Sequence, residues 1–202
     1  MNKGFKKVET TISKYNNEDN IYNKYFKNET FDDIISVSFI DCIFDNCILN
    51  KKMFNSTLTN CLFKNCDMSN LNIDECGLHF ITITNSKLLG LELSNSILKN
   101  SIIENNISNL LNIYNADIKN TDFKNNNMIN SRLYEIRLNK TNFIENNMTD
   151  IEIITTNLNN VDLSTIIIIG IKISTDNLKG CIISSEQIYE LINLLEDYFM
   201  NI

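Results

Sequence analysis

Large apolar residues recur every five positions along most of this chain. From Leu58 they run Phe63, Met68, Ile73, Leu78, Ile83, Leu88, Leu93, Leu98 and Ile103. After one lapse at Ser108 they resume at Ile113 and continue through Phe123, Leu133, Phe143, Ile153, Leu163 and Ile173 to Ile183. Of the 26 slots from Leu58 to Ile183, 25 are apolar, where a hydrophobic content of 43% would fill about 11 by chance. An earlier block, Phe39, Phe44, Leu49 and Phe54, keeps the period one residue out of phase, which places a one-residue deletion between Phe54 and Leu58. Phe26 and Phe31 are candidate earlier centres, although residues 1–35 show no clean register.

Two flanking positions are also restricted. Two residues before each centre the side chain is usually small or β-branched, as at Cys61, Ser86, Ser101, Ala116, Thr121 and Val161, with Asn106, Asn126 and Asn146 among the exceptions. Two residues after it Asn dominates, as at Asn60, Asn85, Asn100, Asn115, Asn125 and Asn160.

A period of five matches neither the 3.6 of a helix nor the 2.0 of a strand. It suits a chain that turns a corner every five residues. Asn belongs at such corners because it tolerates left-handed backbone and hydrogen-bonds locally. Four sides per coil would stack residue n on residue n+20 at the strand spacing of about 4.8 Å. The large centre and the small residue beside it then face inward.

Segments such as Ala116–Asn120, Thr121–Asn125 and Val161–Thr165 read small–polar–large–variable–variable, and on these the chain resembles the pentapeptide-repeat family. The resemblance runs over about three quarters of the sequence, residues 36–183. It implies an all-β solenoid, a right-handed quadrilateral β-helix, with residues 1–35 as an N-terminal cap or early coil. The core centres on that reading include Phe39, Phe44, Phe54, Phe63, Phe123 and Phe143.

Residues 184–202 read as a capping α-helix. Ser184, Ser185 and Glu186 suit its N-terminus, and Ile188, Leu191, Ile192, Leu195, Tyr198, Phe199 and Ile202 fall on one face. In quinolone-resistance (Qnr-type) members of the family such a helix also builds a homodimer. The resemblance therefore makes Ile188, Leu191, Ile192, Leu195 and Phe199 candidate dimer contacts. Ile167 and Ile169, which flank the centre Ile168 and should point outward, are expected under the helix or in the same contact.

Composition narrows the chemistry. The chain has 202 residues, a net charge of −7, one His, six Cys, no Pro and no Trp. No phosphate loop, nucleophile elbow or metal-spaced cluster is present, so neither an enzyme nor a cofactor is expected. The acidic balance disfavours direct nucleic-acid binding. No signal sequence precedes the repeats, and the longest apolar run, Ile166–Ile171, is too short to span a membrane, so a cytoplasmic protein is expected. The cysteines all occupy the small inward slot; Cys42 would stack on Cys61 and Cys47 on Cys66, but small buried hydrophobes are the simpler role. His79 follows a centre and should face solvent.

Charge is distributed by side. Over residues 61–180 the side through Leu71–Glu75 carries Asp74, Glu75, Glu92, Glu135 and Glu152 against Arg132 and Lys172, net −3. The next side carries Asp117 and Asp176 against Lys99, Lys119, Arg137, Lys140 and Lys179, net +3. The other two are near −1 and −2. Tyr114 and Tyr134, one coil apart, should project from the acidic side, which makes Asp74, Glu75, Glu92, Tyr114, Tyr134, Glu135 and Glu152 a candidate partner face. By resemblance, the leading specific partner is DNA gyrase or topoisomerase IV, bound by a DNA-mimicking rod as in Qnr-type members. The competing expectation is a structural or scaffold module for a different protein partner.

Overall fold

The structure, a computed structural model, describes residues 12–16 and 19–192. The chain winds as a parallel β-solenoid of four faces. The first face is a nine-stranded sheet that runs from Ile12–Asn16 through Asn72–Asp74, Glu92–Ser94, Asn112–Tyr114, Arg132–Tyr134 and Glu152–Ile154 to Lys172–Ile173. The second and third faces are seven-stranded, represented by Asp117–Lys119 and Asp122–Lys124. The fourth, among the described residues, is held by single bridges that link Ile48, Asp67, Lys87, Ile107, Asn127, Asn147 and Ile167 in turn. Eight strand spacings put the rod at about 38 Å.

Each three-residue strand places its middle side chain in the core and the outer two toward solvent. In Asp122–Lys124 only Phe123 is buried. From Lys52 onward partners differ by twenty residues, so Phe123 lies between Ile103 and Phe143, with the Phe123 and Phe143 rings stacked at 5.2 Å. The corners explain the Asn. From residue 55 to residue 160 every fifth residue has positive φ, among them Asn60, Asn85, Asn100, Asn115, Asn125 and Asn160. A left-handed residue closes each side with little penalty when it is Asn or Gly. The exposed amides then bond along the rod, Asn115 to Asn95 at 2.8 Å and Asn120 to Asn100 at 3.0 Å.

The early register differs from the sequence expectation. Ile34 pairs with Met53 and Ile35 with Phe54, and Met53 is buried to 1% exposure. Phe54 therefore points outward and half-buried, with the Lys52 ammonium over its ring at 4.3 Å, and is not a core centre. The deletion lies between Leu49 and Met53, at the corner that leaves the fourth face. There the left-handed turn residue is missing, and Lys51, which takes the place of the inward Leu71 of the next coil, is exposed. A second shortening, from Phe31 to Ile34, sits at the same corner one coil earlier. The offset between coils accordingly grows from 18 (Phe26 on Phe44) to 19 (Phe44 on Phe63) to 20. Phe26 and Phe31 are buried centres, and with Phe39, Phe44 and Phe63 they form an aromatic core whose tightest pair, Phe44 and Phe63, stacks at 4.4 Å.

Inside the third corner the unexpected Asn residues form a ladder. Asn106 donates to the Asn126 carbonyl oxygen at 3.0 Å and Asn126 to that of Asn146 at 3.0 Å. Each also donates to a main-chain oxygen, of Ile83, Ile103 and Phe123 respectively. Buried amides are stable only when satisfied this fully.

At the C-terminal end the chain turns into a helix, described over residues 187–192. Gln187 is its anchor. Its side-chain amide donates to the main-chain oxygens of Leu163 at 2.7 Å and Ile166 at 2.8 Å, and its carbonyl oxygen accepts from the Ser184 N–H at 2.8 Å. With the Ser184 hydroxyl accepting from the Gln187 N–H, this is a capping box that also seals the last coil.

Candidate interaction face

The first face collects the residues expected to meet a partner. Twenty-residue stacking sets them in two outward rows. One row runs Asn72, Glu92, Asn112, Arg132 and Glu152; the other runs Asp74, Ser94, Tyr114, Tyr134 and Ile154. Glu75 and Glu135 sit at the adjoining left-handed corner. Tyr114 and Tyr134 stack with ring centroids 5.2 Å apart and planes 12° from parallel. Tyr114 and Ile154 are exposed, and between the rows runs a groove of about 450 Å³ floored by Leu93 and Ile113.

Asp74, Glu92, Glu135 and Glu152 are individually engaged. Glu152 takes an ion pair from Arg132 at 3.0 Å, Asp74 accepts from the Ser94 hydroxyl at 3.0 Å and the Asn95 amide at 2.9 Å, and Glu92 accepts from Asn72 at 3.4 Å. A hydrogen bond to the Glu135 carboxylate holds the Tyr134 hydroxyl above its ordinary pKa. Elsewhere Asp32 pairs with Lys51, Asp45 with Lys64, Asp122 with Lys124 and Asp117 with Arg137. Several carboxylates are thus neutralised by a neighbouring cation, whereas Asp74 and Glu92 on the first face accept from neutral groups.

The candidate dimer contact is only partly assembled. Leu191 packs against the core, whereas Ile188 and Ile192 are exposed. Ile167 and Ile169 stand exposed on the fourth face and are not covered by the described part of the helix. Leu195 and Phe199 lie outside the described residues.

The thiols offer no reactive centre. Cys42, Cys47, Cys61, Cys66 and Cys76 are free and buried, and each contacts the main-chain oxygen two residues before it; Cys181 is half-buried. Burial pushes Cys61 up to about 12 and Cys76 to about 11. In the Cys47–Cys66 pair the shared hydrogen bond draws Cys47 down and Cys66 up. His79 is half-buried rather than free in solvent. Among the described residues no group of three or more His, Cys, Asp or Glu is placed to hold a metal, and no helix is long and apolar enough to cross a membrane.

Three features escaped the sequence. The internal Asn ladder occupies slots that normally take small residues. Gln187 carried a readable signal, the Ser-x-x-Gln capping box, but its inward bonds did not. Ile154, which extends the tyrosine row, follows its centre as many exposed residues do.

Comparison with known proteins agrees with this geometry. Residues 56–133 match the family described as pentapeptide repeat region. Among solved structures, a trypsin-treated variant of QnrB1, a plasmid-mediated fluoroquinolone resistance protein, superposes with a TM-score of 0.57 at 14% identity, covering 88% of this chain and 97% of that one. HetL, a pentapeptide repeat protein involved in heterocyst differentiation regulation from the cyanobacterium Nostoc, gives a TM-score of 0.32 at 12% identity over 90% of this chain and 93% of its own. No curated protein sequence matches the chain.

Proposed function

We propose that this pentapeptide-repeat protein is a non-enzymatic interaction rod that engages a protein partner through its first face. The observation that carries the reading is the stack of exposed Tyr114 on half-buried Tyr134 beside an open groove, on the side with the densest carboxylates. Rigid aromatic pairs supply contact area with little entropy to lose, which is what interface anchors need. The rigid solenoid holds the row in register over five coils.

The test compares faces. A photo-crosslinking phenylalanine analogue is placed at Tyr114 or, on the second face, at Lys119, and adducts are competed with unlabelled protein. A competed adduct from position 114 and none from 119 is the expected result. Equal adducts from both positions, or none from either, overturn the reading.

A second reading, a DNA-mimicking ligand of DNA gyrase or topoisomerase IV, is favoured by the fold shared with QnrB1. Charge weighs against it. A duplex of about 38 Å carries about 22 phosphates, whereas the whole chain nets −7 and pairs carboxylates with its own cations on three of its faces. A homodimer through the C-terminal helix is compatible with either reading, because the first face lies along the side of the rod.

A further inference from the structure

We infer that the first face holds a receptor slot for an arginine side chain of the partner, one tier before the tyrosine stack. The inference rests on the first face being the docking surface and names what it recognises.

Tyr134 covers one side of the Tyr114 ring, and the other side looks along the rod toward Ser94, its direct partner in the preceding coil. Ser94 is too small to fill that tier, so a gap one strand spacing high, about 4.8 Å, lies against an uncovered aromatic face. A planar group fits there as a third member of the stack.

The rim of the gap is anionic. Across the groove, in the same strand as Ser94, stands exposed Glu92, which accepts from the side-chain amide of Asn72. One tier back is Asp74, which already accepts from Ser94 and Asn95. No cation of this chain forms an ion pair with Glu92 or Asp74 among the described residues; Arg132, the nearest in the groove wall, is committed in the opposite direction to Glu152. An aromatic face with carboxylates at its edge suits a guanidinium, which stacks flat while its N–H groups reach sideways to oxygen. A lysine ammonium lacks the planar shape and fits less well.

The experiment records amide NMR spectra of the full chain titrated with acetyl-glycyl-arginyl-glycine amide and with its lysine and glutamate counterparts. The arginine peptide should shift the signals of Glu92, Ser94 and Tyr114, the lysine peptide should bind about fivefold more weakly, and the glutamate peptide should shift none of them. Ser94→Tyr, which fills the tier, should abolish the response, and Tyr114→Leu should weaken it about fivefold while Tyr114→Phe retains it. An otherwise unchanged spectrum establishes that each variant is folded. Absence of shifts at this tier, equal arginine and lysine binding, or an undiminished response in Ser94→Tyr overturns the slot. Competed cross-linking from Tyr114 that persists in Ser94→Tyr would leave the docking face standing and remove the arginine from it.

Discussion

Asn126 and Asn146 are joined twice in the interior of the solenoid: the Asn146 side-chain oxygen accepts from the Asn126 amide at 3.0 Å and from the Asn126 main-chain N–H at 2.9 Å. The same double contact links Asn106 to Asn126. A run of buried polar groups is thereby satisfied coil after coil, and it fixes the stacking register of the third corner.

Asn126→Ala should destabilise the protein by about 2–3 kcal/mol, because it strands the buried Asn106 N–H and removes a donor from the Ile103 oxygen. Asn125→Gly, next in sequence but on an exposed left-handed corner, should change stability by about 0.5 kcal/mol or less. Urea unfolding of the two variants distinguishes an internal ladder from a generic preference for Asn.

The corrected early register has its own test. Met53→Ala should cost about 2–5 kcal/mol as a large-to-small core change, and Phe54→Ala about 1 kcal/mol or less, since its ring lies on the surface under Lys52. The ordering would reverse if the deletion followed Phe54. Farther along, Phe123→Ala should cost about 3–5 kcal/mol. Lys124→Ala should cost little, because its pair with Asp122 at 2.8 Å is on the surface.

Thr155 occupies a corner at φ 48, where a β-branched residue is disfavoured. Thr155→Asn should therefore stabilise the rod by about 1 kcal/mol, and thermal unfolding should show a higher midpoint. Asn120→Thr should do the reverse and also lose the bond to Asn100.

The thiols of Cys61 and Cys76, raised by burial, make stability fall on the alkaline side. Cys61 is held up to about 12 by burial, so the folded state keeps its proton where the unfolded chain has released it. Stability is therefore full below about pH 8.5, the unfolded thiol's value, and declines as pH rises from there toward 12. Denaturant midpoints measured from pH 7 to 10.5 should drop only above about pH 8.5. In the native state at pH 8 a thiol reagent should modify half-buried Cys181 well before the five buried cysteines.

Much of this was legible in the sequence because a five-residue period leaves few alternatives. Once large centres such as Phe123 and Phe143 are twenty apart, the stack, the inward slots and the left-handed Asn corners follow, and with them the placement of Tyr114 beside Tyr134. The short corner before Met53 was not legible. Both Met53 and Phe54 are apolar, and only the absence of a turn residue near Asn50 decides which points inward. Gln187 and Ser94 depend on what lies one coil away, on the main-chain oxygens of Leu163 and Ile166 that the Gln187 amide reaches or on the ring face of Tyr114 that looks toward Ser94. Sequence spacing gives the neighbour but not the space between.

The most direct measurement is a gyrase supercoiling assay with the purified protein titrated in, with and without ciprofloxacin. If the rod works through shape and local contacts on its first face rather than as a charged image of DNA, supercoiling and drug-stabilised cleavage should both be unchanged up to tens of micromolar protein. Inhibition, or rescue from the drug, at low micromolar protein would contradict that claim and make the DNA site of the topoisomerase the target.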